Sequence, residues 1–531
     1  MFRMGLMLWI FFQAFVLAAQ PAVPCFSIKD YGASGEKSQK ATSFIQKALD
    51  DCTASGGGIV YFPPGEYLSG SLRISSNTTL WLEAGATLYA SQDTADYHIY
   101  RSLSEPVLLF ADSAHHITIR GKGKIHGQAR RVYEDLKSVD GFIPDITENA
   151  RKAGVEMKMY YKVKPYVRLV VLEHSSDITV EDISLIESCS WTLDLKQCQR
   201  VYIRGVYIES SLQAGVNSDG IDVDGCRDVV ISDCIVTTGD DAIVLKANFT
   251  KGVQHHCENV TVTNCVVSSS SAGLKLGTES YGDFRHITFS NCVVRNANRG
   301  LSIVMRDGGT VENVLFSNIT IETSRRHFNW WGDGDPISII LRKRRPNSKL
   351  GFIRNVVFEN IVATGQGTSR IGGYAPDSLH PEGRQLENIQ LRHVQLKMEP
   401  ENYLDKRADW GFEAHDVNGL KISGMEVSWD SVHTEPAWKG AVHLYNCDEV
   451  QIKDFTGRQG LMENRSPVIL LENVPITLLD EIYASPGSGT LIAISGEKTR
   501  TVIASNVDPL NRSAEKIKVS KEVGKNVVRR K

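Results

Sequence analysis

A short β pattern recurs through most of this chain at intervals too small for separate domains. Asn259-Val-Thr-Val-Thr-Asn-Cys-Val-Val, Asn313-Val-Leu-Phe-Ser-Asn-Ile-Thr-Ile and Asn355-Val-Val-Phe-Glu-Asn-Ile-Val-Ala share one form. Related stretches begin at His116, Asp177, Arg200, Asp228, His286, Asn388, Gly419 and Glu449, and from Asp177 onward the starts lie 23 to 42 residues apart. Each unit is an alternating β run, a polar turn rich in Asn or Asp, and a second β run. A propeller would need four strands in each repeat, and a leucine-rich repeat a helix or an Asn-centred consensus. Two or three short strands per unit fit the coil of a solenoid. The repeat therefore predicts an all-β, right-handed single-stranded parallel β-helix.

Details of the pattern extend that expectation. Asn264, Asn291, Asn318 and Asn360 recur at one turn, with Asp233 equivalently placed, which predicts a ladder of side-chain hydrogen bonds. Ser43 to Cys52 carries helical apolar spacing at Phe44, Ile45 and Leu49 and is ended by Gly56 to Gly58. A helix there would cap the open end of the first coil. The gap between Ile117 and Ile178 holds an acidic, aromatic insertion, Tyr133 to Tyr161, expected as a lateral loop or short helix. The pattern fades near Asn506, so residues 21–505 are expected to form the solenoid and 506–531 a polar, loosely ordered tail.

With 59 basic and 62 acidic residues, the chain has no global field to recruit nucleic acid or anionic lipid. Residues 1–20 read as an export signal. Arg3 precedes a largely apolar run from Met4 to Ala19 that ends in small residues; a retained anchor is the alternative. No later stretch reaches the roughly 20 apolar residues that span a bilayer. The expected location is therefore secreted or periplasmic, with no membrane contact once the signal is removed. The ten cysteines could pair in such a compartment. Cys226, Cys257 and Cys447 open similar segments, however, while Cys234, Cys265 and Cys292 hold one equivalent place. They are expected as buried rungs, with disulfides between neighbouring rungs left open. None of the 14 histidines has zinc spacing; the adjacent pairs His115-His116 and His255-His256 would face opposite ways on a strand.

Two turns depart from the rest: Asn217-Ser-Asp-Gly-Ile-Asp-Val-Asp-Gly and Thr238-Gly-Asp-Asp-Ala-Ile-Val-Leu-Lys. Asp219 and Asp240 are 21 residues apart, close to one coil. Neighbouring rungs start about 4.8 Å apart, and side-chain direction can widen that toward the roughly 6.5–9.5 Å of an inverting glycosidase. Crowded carboxylates also raise one another's pKa, so that one can stay protonated as an acid while others serve as bases. On spacing alone three readings stand level. These are a glycosidase, a calcium site built from Asp219, Asp222 and Asp224, and an ordinary solvated turn.

The same two segments, Asn217-Ser218-Asp219-Gly220 and Gly239-Asp240-Asp241, resemble the Asn-Thr-Asp-Gly and Gly-Asp-Asp motifs of the family 28 glycoside hydrolases, the polygalacturonase-like enzymes of pectin breakdown. Ile28-Lys-Asp-Tyr-Gly-Ala and Gly57-Gly-Ile-Val-Tyr-Phe-Pro-Pro-Gly-Glu-Tyr resemble the start of such β-helices, so the likeness covers roughly residues 25 to 365. It implies a pectin-lyase-like fold and Asp240 as the acid that protonates the leaving oxygen. Asp219 and Asp241 would position and deprotonate the attacking water. It further implies single-step hydrolysis with inversion, no metal or organic cofactor, a plant cell-wall-type polysaccharide or oligosaccharide as partner, and a monomer.

Two family motifs are altered. A Gly-His-Gly is replaced by Ser271-Ala272-Gly273, with Ala272 at the histidine position, and Arg-Ile-Lys by Ser302-Ile303-Val304. Loss of the histidine leaves the proton donor in place, whereas loss of the two cations removes the family's means of recognising a uronate. Lys246, Lys275 and Arg306 are candidates to replace them, with Asn217, Glu279, Arg299 and Trp330 as further substrate-binding residues. The plain alternative for each charge is a solvated surface. Trp191, Tyr281 and Trp331 are candidate faces for sugar rings, with a core or capping role as the alternative. The expected function is hydrolysis of pectin-type polysaccharide, with rhamnogalacturonan or decorated galacturonan favoured over plain polygalacturonan. A calcium-dependent lyase and a non-catalytic carbohydrate-binding solenoid are the alternatives.

Overall fold

The computed structural model describes residues 23–100, 105–138, 144–326, 332–375, 378, 384–461, 466–509, 516–524 and 527–530. The segment read as an export signal and the pair Trp330-Trp331 lie outside these residues. Short strands stack coil upon coil into parallel ladders that run the length of a right-handed β-helix. One core row passes through Leu193, Ile221, Ile243, Leu274, Leu301 and Ile337 on successive rungs. The facing sheet contributes Val201, Val229, Val260, Ile287, Val314, Val356, Ile389 and Leu420. Period-two alternation sends these side chains inward and their neighbours outward, so register alone sorts core from surface.

Stacking also explains the recurrent asparagines. Asp233, Asn264, Asn291, Asn318 and Asn360 all adopt left-handed backbone, with φ between 53° and 58°. Asn and Asp tolerate that conformation better than other non-glycine residues. The expected side-chain ladder forms in segments. Asn264 donates to Asp233 at 3.4 Å, Asn318 to Asn291 at 3.2 Å and Asn360 to Asn318 at 3.0 Å, while Asn291 turns to the Thr263 hydroxyl. A second ladder, at the positions that open the repeat units, links Asn259 to Asp228, Asn355 to Asn313 and Asn388 to Asn355. All ten cysteines are free thiols and nine are buried. Cys234, Cys265 and Cys292 each donate to the carbonyl two residues back at 3.2 Å, as equivalent rungs must.

The capping helix α1 spans Thr42–Ala54 and buries Ile45, Ala48, Leu49 and Cys52 over the first coil. The insertion is more structured than a loop or short helix. It is an antiparallel hairpin, Tyr133–Ser138 against Lys158–Lys162, with a helix α2, Pro144–Lys152, between its arms. The solenoid also runs past residue 505, where a loose tail was expected. Val502 to Ala504 pair with Val528 to Arg530, and Ile492 to Ile494 pair with Ile517 to Val519. These strands are three residues each and add Val523 and Val527 to the core, a run too short to leave a period in the sequence pattern. Among the described residues no helix is long and apolar enough to cross a membrane.

Phe289, Phe316 and Phe358 stack in parallel along the core at centroid spacings of 4.9 and 5.0 Å. Phe316→Ala removes the middle ring and should destabilise the coil by about 3–5 kcal/mol. Tyr202→Ala, on an exposed face, should change stability by no more than about 0.5 kcal/mol. Guanidinium unfolding of the two variants checks the difference.

Candidate active site

The three carboxylates sit in turns that lead into adjacent strands of one sheet, Ile221–Asp224 and Ile243–Ala247. The amide of Gly220 donates to the carbonyl of Asp241, so Asp219 and Asp241 occupy matching places on successive rungs. The motif's other residues shape these turns. The Ser218 hydroxyl joins the Gly215 carbonyl at 2.6 Å and the Ser210 hydroxyl at 2.7 Å, and accepts from the Gly239 amide at 3.2 Å. A Cβ on Gly239 would lie 2.3 Å from the Gly215 carbonyl oxygen, so only glycine lets the two turns approach this closely. Thr238 and Ser269 donate to the Asp240 carbonyl at 2.7 and 2.6 Å, holding that turn from both sides.

Each of Asp219, Asp240 and Asp241 offers an oxygen within 4.8 Å of the others. Asp240 and Asp241 are adjacent in the chain, and Asp219 rises from the rung before at the usual strand spacing. A water making hydrogen bonds of about 2.8 Å to two of these oxygens still fits between them.

All three groups are almost wholly buried, and their surroundings separate them. Burial pushes Asp240 well above the usual carboxylate range, and the neighbouring Asp219 and Asp241 push it further. Burial raises Asp241 too, but the ammonium groups of Lys275 and Lys246 outweigh it and hold the group below its ordinary value. Lys275 Nζ lies 2.5 Å from Asp241 Oδ2, and the Ser271 hydroxyl and Ala272 amide donate to Oδ1 at 2.9 and 3.3 Å. Burial raises Asp219 against the opposing pull of Lys246, whose Nζ is 3.1 Å away. Asp240 is therefore the group that keeps its proton when Asp241 has lost its own.

Lys246 is the hub beneath the carboxylates. Its Nζ contacts Asp219, Asp222 at 3.0 Å and Glu279 at 3.7 Å, and it stands 3.7 Å over the ring of Trp191. Asp222 is fully buried and burial raises it well above the ordinary range. Despite the Lys246 contact, neither of its oxygens makes a well-directed hydrogen bond.

These contacts correct several expectations. Lys246 and Lys275 are buried and committed to the site's own carboxylates, so neither is free to hold a substrate uronate. Lys246 stands between Asp219 and Asp222, where a calcium ion would have to sit, and Asp224 turns instead to the Asn248 side chain at 2.9 Å. Trp191 packs among Lys246, Arg168 and Lys196 instead of offering a bare face. Asn217 is exposed, with φ of 58°, and serves the turn that sends Ser218 and Asp219 inward. Glu279 is part-exposed between Lys246 and Arg344, and Arg299 faces Asp335 at 3.7 Å. Arg306 keeps a buried Nε without a hydrogen-bond acceptor; burial, with Arg344 and Arg342 nearby, lowers its pKa. Trp330 lies outside the described residues.

Sequence reasoning missed groups that arrive from distant segments. Lys162, in the hairpin, donates to the Cys189 carbonyl at 3.3 Å; burial lowers its pKa, while Glu105, Cys189, Asp219 and Asp240 act in the opposite sense. Tyr133 brings a buried phenol beside Ser218, Asp240 and Asp219. Arg168 ties Asp194 at 2.5 Å to Glu105 at 2.7 Å at the edge of the cluster. None of these has a motif around it, and only the folding of the insertion brings the first two to the site.

Residues 59–408 match the sequence model of glycosyl hydrolases family 28. The chain belongs to this family. A "Probable polygalacturonase" of Vitis vinifera is 26% identical over 49% of this chain and 53% of its own length. A "Probable rhamnogalacturonase A" of Aspergillus oryzae is 25% identical over 48% of this chain and 44% of its own length. The chain thus spans about half the length of these curated relatives. A solved hyperthermoactive exopolygalacturonase of Thermotoga maritima shares the fold, with a TM-score of 0.58 and 22% identity over 77% of this chain and 93% of that one.

The Lys275–Asp241 pair makes a prediction about pH. Asp241 is ionised above a depressed pKa, so activity that needs it falls only as pH drops through that value. Lys275→Met removes the depression and should move the acid limb of the kcat/KM profile up by about 1–3 pH units. An unmoved limb would mean that Lys275 does not hold Asp241 ionised.

Proposed function

We propose that the protein hydrolyses glycosidic bonds of pectin-type polysaccharide, and that it does so outside the cell after export on residues 1–20. The observation that carries this reading is the gathering of three buried carboxylates on two successive rungs, with Lys275 paired to Asp241, Lys246 to Asp219, and no cation paired to Asp240 among the described residues. Asp240, raised by burial and by two like charges, keeps a proton and gives it to the leaving oxygen. Asp241, held ionised against its own burial by Lys275 and Lys246, and Asp219, within reach of the same water, orient that water and take its proton. Attack in one step from the face opposite the leaving group inverts the anomeric centre.

Substrate choice follows from which cations remain uncommitted. The side chains of Ser302 and Val304 cannot hold a uronate carboxylate. Arg306, part-exposed just past the strand that carries Ser302 and Val304, is the cation put forward to receive one through its guanidinium Nη groups. The family includes enzymes named polygalacturonase and rhamnogalacturonase, and the altered cation set favours rhamnogalacturonan or a decorated galacturonan here.

Asp240→Asn should lower kcat by about a hundred- to ten-thousand-fold while leaving the melting temperature within a few degrees of wild type. A folded variant of full activity would remove Asp240 from its role. Proton NMR of the first product should show the inverted anomer; retention would recast one Asp as a nucleophile. Reducing ends should appear without the absorbance of unsaturated uronides, which would instead mark a lyase.

A further inference from the structure

The sheet that carries the carboxylates is bordered on one side by a wall whose residues come from four successive coils. Phe249 lies just past the strand Ile243–Ala247, Tyr281 just past Ala272–Ser280, Arg306 just past Arg299–Met305 and Arg342 just past Asp335–Leu341. Strand ends one rung apart stack about 4.8 Å from each other, so the wall runs about 14 Å along the axis, aromatic first and cationic after. The rings of Phe249 and Tyr281 lie 6.1 Å apart, and Phe249 is half exposed.

The cationic half carries more positive charge than its own acids offset. Residues 341–350 hold five cations, Arg342, Lys343, Arg344, Arg345 and Lys349, and no Asp or Glu. The Arg342 amide donates to the Met305 carbonyl at 3.0 Å and the Arg344 amide to the Arg306 carbonyl at 2.9 Å, which sets this run against Arg306. Asp307 and Glu279, the carboxylates that act on Arg306, are already engaged. Asp307 accepts from Arg344 Nε at 2.6 Å and Nη2 at 2.8 Å and from the Ser280 amide at 3.1 Å. Glu279 is shared between Arg344 at 3.6 Å and Lys246 at 3.7 Å. Burial first, and then the guanidiniums of Arg344 and Arg342, lower the pKa of Arg306 although those two carboxylates act in the opposite sense. Like charges on neighbouring rungs repel, and an anion from outside the chain relieves them.

The wall is contiguous with the catalytic cluster but displaced from it. Glu279 links Arg344 to Lys246, and Lys246 reaches Asp219. Between them lies the outward row Asp222, Val244, Lys275, Ser302 and Ser338. Arg306 is four residues along the strand from Ser302, about 13 Å to its side. Asp307 pins Arg344 at that distance. A polymer that offers its glycosidic bond to the aspartates and follows this row meets the wall only through a group it carries sideways. Resting on the hydrolase reading above, we infer that the wall is a side subsite for an acidic sugar branching from the main chain, its ring against Tyr281 and Phe249 and its carboxylate on Arg306 and Arg342. An aromatic face one rung from guanidiniums suits a pyranose, whose apolar face packs while its carboxylate accepts paired hydrogen bonds. The substrate class is then a pectic polymer decorated with uronate-bearing branches, and the carboxylate assigned to Arg306 belongs to the branch.

Two preparations of one pectic polymer test this, the first with its acidic branches intact and the second freed of them by side-chain glycosidases. The native chain should show a kcat/KM about tenfold higher on the branched preparation, through a lower KM. High salt should shrink that preference. Equal kcat/KM on the two, or a preference for the debranched one, would overturn the inference while leaving the hydrolase reading intact. Release of no reducing ends from any pectic fraction would remove both. Arg342 is exposed, and Arg342→Gln should erase most of the preference by raising KM on the branched preparation, with Arg342→Lys restoring part of it. A variant of native melting temperature that keeps the full preference would take Arg342, and the wall with it, out of substrate choice. Should Arg342→Gln fail to fold, the comparison on the native chain decides alone.

Discussion

Hydrogen bonding between successive coils governs everything else in this molecule. Each rung copies the backbone of the one before at about 4.8 Å, so a residue type at one position becomes a column along the axis. Inward columns of Val, Ile, Leu and stacked phenylalanines make the core, and outward columns of Asn and Asp close the left-handed turns. The same copying places Asp219 opposite Asp241. A fold that repeats one geometry can hold like charges one rung apart because the backbone on each side is already satisfied.

That placement has an electrostatic cost, and the compensation is local. Asp194, Asp219, Asp222, Asp240 and Asp241 lie together with little water, an arrangement that isolated carboxylates would avoid by taking up protons. Lys246, Lys275 and Arg168 supply positive charge from the next rungs or from beside them. Their distribution is uneven, and the unevenness is chemically useful. Asp241 receives a 2.5 Å ion pair and two further donors, whereas among the described residues the carboxylate oxygens of Asp240 accept from the amide of Asp241 alone. The lysines that looked available for substrate are therefore tied into the carboxylate cluster.

Much of this was legible before the fold was known. The repeat, the capping helix, the asparagine turns, the cysteine rungs and the paired Asp motifs are local or periodic, and a column in a solenoid leaves a period in its sequence. The insertion left no such period. Its hairpin alternates weakly because both faces of Lys158–Lys162 are at least partly open, and its helix is too polar to declare a buried face. The final strands were missed for a related reason, since each is only three residues long, too short to show a period.

The residues themselves determined a parallel β-helix with three carboxylates gathered on two successive coils, because stacking turns sequence spacing into distance. Which of those carboxylates holds its proton was a tertiary decision, since protonation depends on charges that arrive from other coils. So was the commitment of Lys246 and Lys275 to the site, because a lysine's reach of several ångströms can end in solvent or on a neighbour. The approach of the insertion to the carboxylates was the third such decision. It rests on contacts such as that of Gln213 with Tyr160, 53 residues apart in the chain, which no local pattern records.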